Sequence, residues 1–262
     1  MVGYSYRWND AGTDAELVSA SGTDKEFTVQ TAAGGRKQVW HYPSRAECMV
    51  CHSRAANFVL GLCEVQMNKA HDYGTCTSNQ LRELEHLGVL KSDYPGEANG
   101  KVRENGAAKG LTGKELDGYA TGQSPQPNQR APKASSLLTQ PPAALRQLVD
   151  PYDREQELGA RAKSWLHANC SSCHVEAGGG NAAIDLEFTT LLDKMRVIDV
   201  KPMHHTFDLL DARLVAPGRP ERSVLLTRVG RRGASQMPPL SSNRVDDRGV
   251  ALLTAWITSL PE

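Results

Sequence analysis

Apolar positions recur with a helical period toward the C-terminus. Over residues 246–260, Val250, Leu253, Trp256, Ile257 and Leu260 fall on one stripe behind the acidic pair Asp246-Asp247. That pattern predicts an amphipathic helix with a favourable charge at its start. Residues 153–167 repeat it, with Leu158, Ala162, Trp165 and Leu166 on the stripe and acidic residues ahead. A short helix is expected at 224–229, and another at 79–90 with Leu81, Leu84 and Leu87 facing a core and Gly88 as its C-cap. Ser44 and Glu47 have the spacing of a capping box just ahead of Cys48.

The period shifts to two at the other end of the chain. Residues 2–8 alternate, and residues 27–42 read as a hairpin turning at Gly34-Gly35. Residues 95–142 hold no sustained apolar period and are rich in Gly, Pro, Ala, Gln and Ser, most polar around 122–132, which predicts a linker or an extended strap. The expected fold class is mainly α: a small β-rich segment at 1–45, a lobe at 46–94, a linker at 95–150 and a second lobe at 151–262. A chain of 262 residues has room for two lobes.

Charge and composition narrow the function classes. With 30 basic and 30 acidic residues, split 15 and 15 on each side of a cut after Leu145, the chain lacks the basic face of a nucleic-acid binder. The longest apolar stretch, Val250 to Leu260, is far shorter than the ~20 residues a membrane span needs. The first residues carry no charged region followed by an apolar core, and read as a strand entered midway. The expectation is a mature form, or a piece of a longer precursor with its export signal upstream.

Cysteine spacing supplies the chemistry. Six cysteines stand at 48, 51, 63, 76, 170 and 173, and four of them form two copies of one pattern, Cys48-Met-Val-Cys51-His52 and Cys170-Ser-Ser-Cys173-His174. Cys-x-x-Cys-His is the attachment motif of haem c. On a helical turn, residues i, i+3 and i+4 share a face, so two sulfurs reach the two haem vinyl groups while the next imidazole meets the iron. A zinc ribbon needs its two knuckles roughly 15–20 residues apart, against the 118 residues between Cys51 and Cys170. A thioredoxin-like dithiol has no use for a second copy. Two covalent haems are the expected cofactors. Cys63 and Cys76 are left over as an even pair, for which a disulfide is expected in an oxidising compartment.

Residues 152–262 resemble a single-haem cytochrome c domain over their whole length. The resemblance rests on the helix that delivers Cys170, Cys173 and His174, on Gln236-Met237-Pro238-Pro239-Leu240 at 63 positions past His174, and on the final amphipathic helix. It implies that Met237 is the distal iron ligand opposite His174, a soft thioether that raises the potential. In the first lobe His52 is the proximal ligand. Its distal partner stays open among Met67, taken first, His71, His86 or His41, and an open iron. Arg219, Arg222, Arg228, Arg231 and Arg232, with His204-His205, read as solvated surface or as contacts to haem propionates or an acidic partner.

Whole-chain order resembles bacterial tandem cytochrome c domains fused behind dehydrogenases of sugars or other alcohols. It implies an extracytoplasmic, dihaem electron carrier between a dehydrogenase-type donor, fused or separate, and a downstream acceptor, with no catalytic residue of its own. The competing readings are a dihaem cytochrome c peroxidase, with the Cys48-Cys51-His52 haem as its peroxidatic centre, and a haem-based sensor.

Overall fold

The computed structural model describes residues 2–56, 58–94 and 137–262. The polar centre of the expected linker, 122–132, lies outside them. The chain forms two compact units: residues 1–60 with 149–262, and residues 61–148.

The larger unit opens with two hairpins. β1 (Tyr6–Trp8) pairs with β2 (Ala15–Leu17), and β3 (Thr23–Thr31) pairs antiparallel along its full length with β4 (Gly34–Tyr42). The second reversal falls at Ala32-Ala33, two residues ahead of the expected glycines. Gly34, at φ +108, takes a backbone conformation that side chains resist. α1 (Arg45–Cys51) follows, started by the capping box: Glu47 N–H donates to Ser44 Oγ at 3.2 Å, and Ser44 N–H donates to Glu47 Oε2 at 2.8 Å.

The unit's core lies between two helices at the other end of the chain. α4 (Leu158–Cys170) and α6 (Asp247–Ser259) enclose Ala162, Trp165, Leu166, Leu253, Trp256 and Ile257, all buried. α4 starts later than its acidic lead-in suggests, because Glu157 caps it, accepting from the N–H groups of Gly159 at 2.7 Å and Ala160 at 2.6 Å. α5 (Val224–Val229) has the expected bounds. Among the described residues no helix is long and apolar enough to cross a membrane.

Asp246 ties the two long helices together. It caps α6 by accepting from Gly249 N–H at 3.0 Å, and it also accepts from Trp165 Nε1 at 2.8 Å and from the Tyr152 hydroxyl. Gly249 makes room for this, since a Cβ there would fall 2.4 Å from Trp165 Nε1. Burial pushes the Asp246 carboxyl up, but these hydrogen bonds outweigh it and hold the group below its ordinary value near 3.8. A depressed carboxyl stabilises the fold above its unfolded pKa and loses that contribution as pH falls through the folded one. Asp246→Ala is therefore expected to cost about 1–3 kcal/mol in urea unfolding at neutral pH, by leaving the indole N–H and the hydroxyl unpartnered. The deficit should shrink as pH drops below about 4.

The smaller unit contains α2 (Glu64–Met67), a β5 (Ala70–Asp72) and β6 (Thr77–Asn79) hairpin, and α3 (Gln80–His86). β7 (Lys91–Ser92) then pairs in parallel with β8 (Leu137–Leu138). Leu81, Tyr94 and Leu138 form its core, with Met67, Leu90 and Leu145 packed against them. The buried Asn68 side chain closes the unit, its Nδ2 donating to Pro142 O at 2.9 Å and Leu145 O at 3.1 Å while its Oδ1 accepts from Asn79 Nδ2 at 2.7 Å.

Three expectations change. Residues 46–94 are not one lobe: α1 and the residues through Leu60 join the larger unit, and the chain from Gly61 folds with the end of the strap through Asn68, Leu138 and Leu145. The segment is less helical than expected, because β5, β6 and β7 interrupt it. The expected Cys63–Cys76 disulfide is not formed. Cys63 sits at the N-cap of α2 with Sγ 3.9 Å from Gln66 Oε1, whereas Cys76 is held in the β5–β6 turn, its side chain exposed and its carbonyl accepting from Tyr73 N–H.

Candidate haem-attachment site

The first motif is built on the last turn of α1. Cys48 lies under the backbone of Gly3, where a Cβ would come within 2.5 Å of the cysteine's own Cβ. His52 ends the helix, and its Nδ1 stands 2.6 Å from the carbonyl of Phe58. A histidine that donates through one ring nitrogen to a carbonyl has its tautomer and orientation fixed, with the other nitrogen left for a metal. That is the requirement on a proximal haem ligand.

The second motif grows from the end of α4. Cys170 is its last residue, and the N–H groups of Cys173 and His174 both return to the Cys170 carbonyl, at 3.1 and 2.8 Å. Burial raises the Cys170 thiol to about 12. His174 Nδ1 is buried and finds no hydrogen-bond partner among the described residues, and Gly180 covers it so closely that a Cβ would fall 2.7 Å away. Burial, aided by the Arg228 charge, outweighs an opposing hydrogen bond with the Ala182 backbone and keeps His174 below its ordinary value near 6.5. A neutral imidazole is the form that binds iron. An orphaned buried ring nitrogen is costly in a finished fold.

Met237 is tied to α5. Its N–H donates to the carbonyl of Arg228, whose guanidinium acts on His174, and the methionine is half-buried. Gln236 fixes the loop, donating to the carbonyls of Pro238 and Ser242, both at 2.9 Å, and accepting from Gly233 N–H at 2.7 Å.

The two motifs meet. Cys51 Sγ and Cys173 Sγ are 3.3 Å apart, and Val50 O is 3.6 Å from Cys173 Sγ. Their shared hydrogen bond splits the pair, lowering Cys173 to about 6 and raising Cys51. Gly179 permits the contact: a Cβ there would stand 2.1 Å from the Val50 carbonyl oxygen. The sequence signal was the Gly178-Gly179-Gly180 run directly after the second motif, although nothing in it named Val50 as the neighbour.

No family model, curated protein or solved structure matches this chain.

The remaining candidates separate clearly. Met67 packs into the core of the smaller unit, while His71 is exposed there with its ring edge-on to Tyr73 at 4.7 Å. His86 belongs to the last turn of α3 in that unit. His41 lies between Asp24 Oδ1 at 2.6 Å and Glu47 Oε2 at 3.2 Å, and these hydrogen bonds, Asp24's first, raise its pKa. Among the described residues no three His, Cys, Asp or Glu side chains gather as a zinc site needs. In the arginine group, Arg228 and Arg231 lie 4.9 and 4.8 Å from the Phe207 ring centre. His204 and His205 are exposed.

The donors present fit covalently attached haem. Each motif offers two thiols followed by one imidazole. One imidazole is oriented by a carbonyl and the other is buried with a ring nitrogen unspent.

Proposed function

We propose that the chain is a dihaem c-type cytochrome, two haem c groups serving electron transfer between an extracytoplasmic dehydrogenase-type donor and a downstream acceptor protein. Haem, when bound, supplies a reversible one-electron iron couple. The protein supplies everything that positions it. Cys48 and Cys51 with His52, and Cys170 and Cys173 with His174, hold the two groups. Met237 would supply the second group with a neutral, soft thioether, which favours the reduced state. The observation that carries the reading is the meeting of the two motifs at Cys51 and Cys173, 3.3 Å apart, which makes neighbours of the two attachment segments. A relay needs neighbouring centres and no acid, base or nucleophile from the chain.

Met237→Ala tests the ligand set. The variant is expected to lose the weak near-infrared absorption of ferric thioether ligation and to show one lowered potential, axial ligands spreading haem potentials over about 0.8 V. An unchanged spectrum and potential would remove Met237 as a ligand.

One observation favours a second reading. Met67, the first distal candidate for the His52 centre, is a core residue of the smaller unit. A haem held by His52 without that thioether would be open to an exchangeable ligand, as a dihaem cytochrome c peroxidase requires. Turnover of hydrogen peroxide by the loaded protein separates the two.

A further inference from the structure

We infer that, before haem is attached, Cys51 and Cys173 are a redox-sensitive pair that closes into a disulfide between the two motifs. The bond itself follows from the geometry alone. Its consequence, a redox gate on haem loading, rests on the haem reading above.

Four motif cysteines are available, and the fold sends them to different places. Cys48 is turned under Gly3, and Cys170 packs against the core between α4 and α6. Cys51 and Cys173 face each other at 3.3 Å, closer than the usual contact of two thiols and a short movement from the ~2.05 Å of a disulfide. The approach is built into the backbone. Gly179 brings the loop after the second motif onto the Val50 carbonyl, which no residue with a Cβ tolerates. Val50 O in turn lies beside Cys173 Sγ.

The chemistry balances with a low-molecular-weight disulfide such as oxidised glutathione as oxidant. One cysteine, as its thiolate, attacks a glutathione sulfur and expels one glutathione thiolate. The second then attacks the mixed disulfide and expels the other. Two thiol hydrogens leave the chain and two molecules of reduced glutathione form. The product holds both sulfurs that thioether formation would use, so bond and haem exclude each other at these two positions.

The full chain made without haem provides the test. After exposure to oxidised glutathione it is expected to lose about 2 Da. Non-reducing tryptic digestion should join the peptide 46–54 to the peptide 164–194 through Cys51 and Cys173. The link should vanish in Cys51→Ser and in Cys173→Ser and persist in a Cys48→Ser, Cys170→Ser double variant, which guards against misfolding as a false negative. Gly179→Val should cut the bonded fraction several-fold while leaving all six thiols titratable after reduction. Bonds confined within each motif, or thiols left unlinked, would overturn the inference. The haem reading fails separately, if a host competent in cytochrome c maturation attaches no haem to the reduced chain.

Discussion

On the dihaem proposal, serine at both Cys170 and Cys173 should halve the covalent haem from two per chain to one. The second motif is assembled at the end of α4, where Cys170 packs against the core of Trp165, Leu253 and Ile257, and a serine there nearly matches the volume it replaces. The fold is therefore expected to survive while attachment fails. If Met237 is the second ligand of this centre, as proposed, the haem lost should be the one of higher potential. Pyridine haemochrome content per chain should fall by about half, and the more positive step of a redox titration should go with it. The reciprocal Cys48→Ser, Cys51→Ser variant should keep that step and lose the other. Loss of both haems in either variant would mean that the two sites do not load independently.

Leu253→Ala carries the largest expected stability effect. Leu253 is wholly buried between α4 and α6, so the substitution removes apolar contact and leaves a cavity between two helices fixed at Asp246. The expected cost is about 2–5 kcal/mol, read as a lower urea midpoint at unchanged slope. Leu210→Ala is the control. Leu210 is 88% exposed, and its loss should stay within about 0.5 kcal/mol. Equal effects at the two positions would contradict the helix packing described here.

Local signals carried most of what the chain disclosed in advance. The stripe of α6, the bounds of α5 and the Ser44–Glu47 capping box each depend on residues within one or two turns, and each was legible from spacing. The start of α4 was not. The acidic run ahead of it reads as a first helical turn, but Glu157 spends both carboxylate oxygens on the N–H groups of Gly159 and Ala160, so the helix begins only beyond it.

Long-range facts were hidden for a different reason. Spacing gives the length of the loop between Cys63 and Cys76 but not the direction of either sulfur. Those directions are set by the α2 cap and the β5–β6 turn. The assignment of α1 to the larger unit depends on the loop of Gly179 meeting Val50, a contact between residues far apart in the chain. The two Cys-x-x-Cys-His motifs were legible because their spacing is local, and their role in holding haem is the proposal made above. The distal side of the first centre was not, since an axial ligand can arrive from any part of a chain.

The most direct measurement is a spectroelectrochemical titration of the purified chain, with haem counted as the pyridine haemochrome and axial ligands read by near-infrared magnetic circular dichroism. The relay predicts two covalent haems per chain, two one-electron steps, and histidine–methionine ligation at the higher. A chain with no covalent haem, or with a single reducible centre, would contradict it.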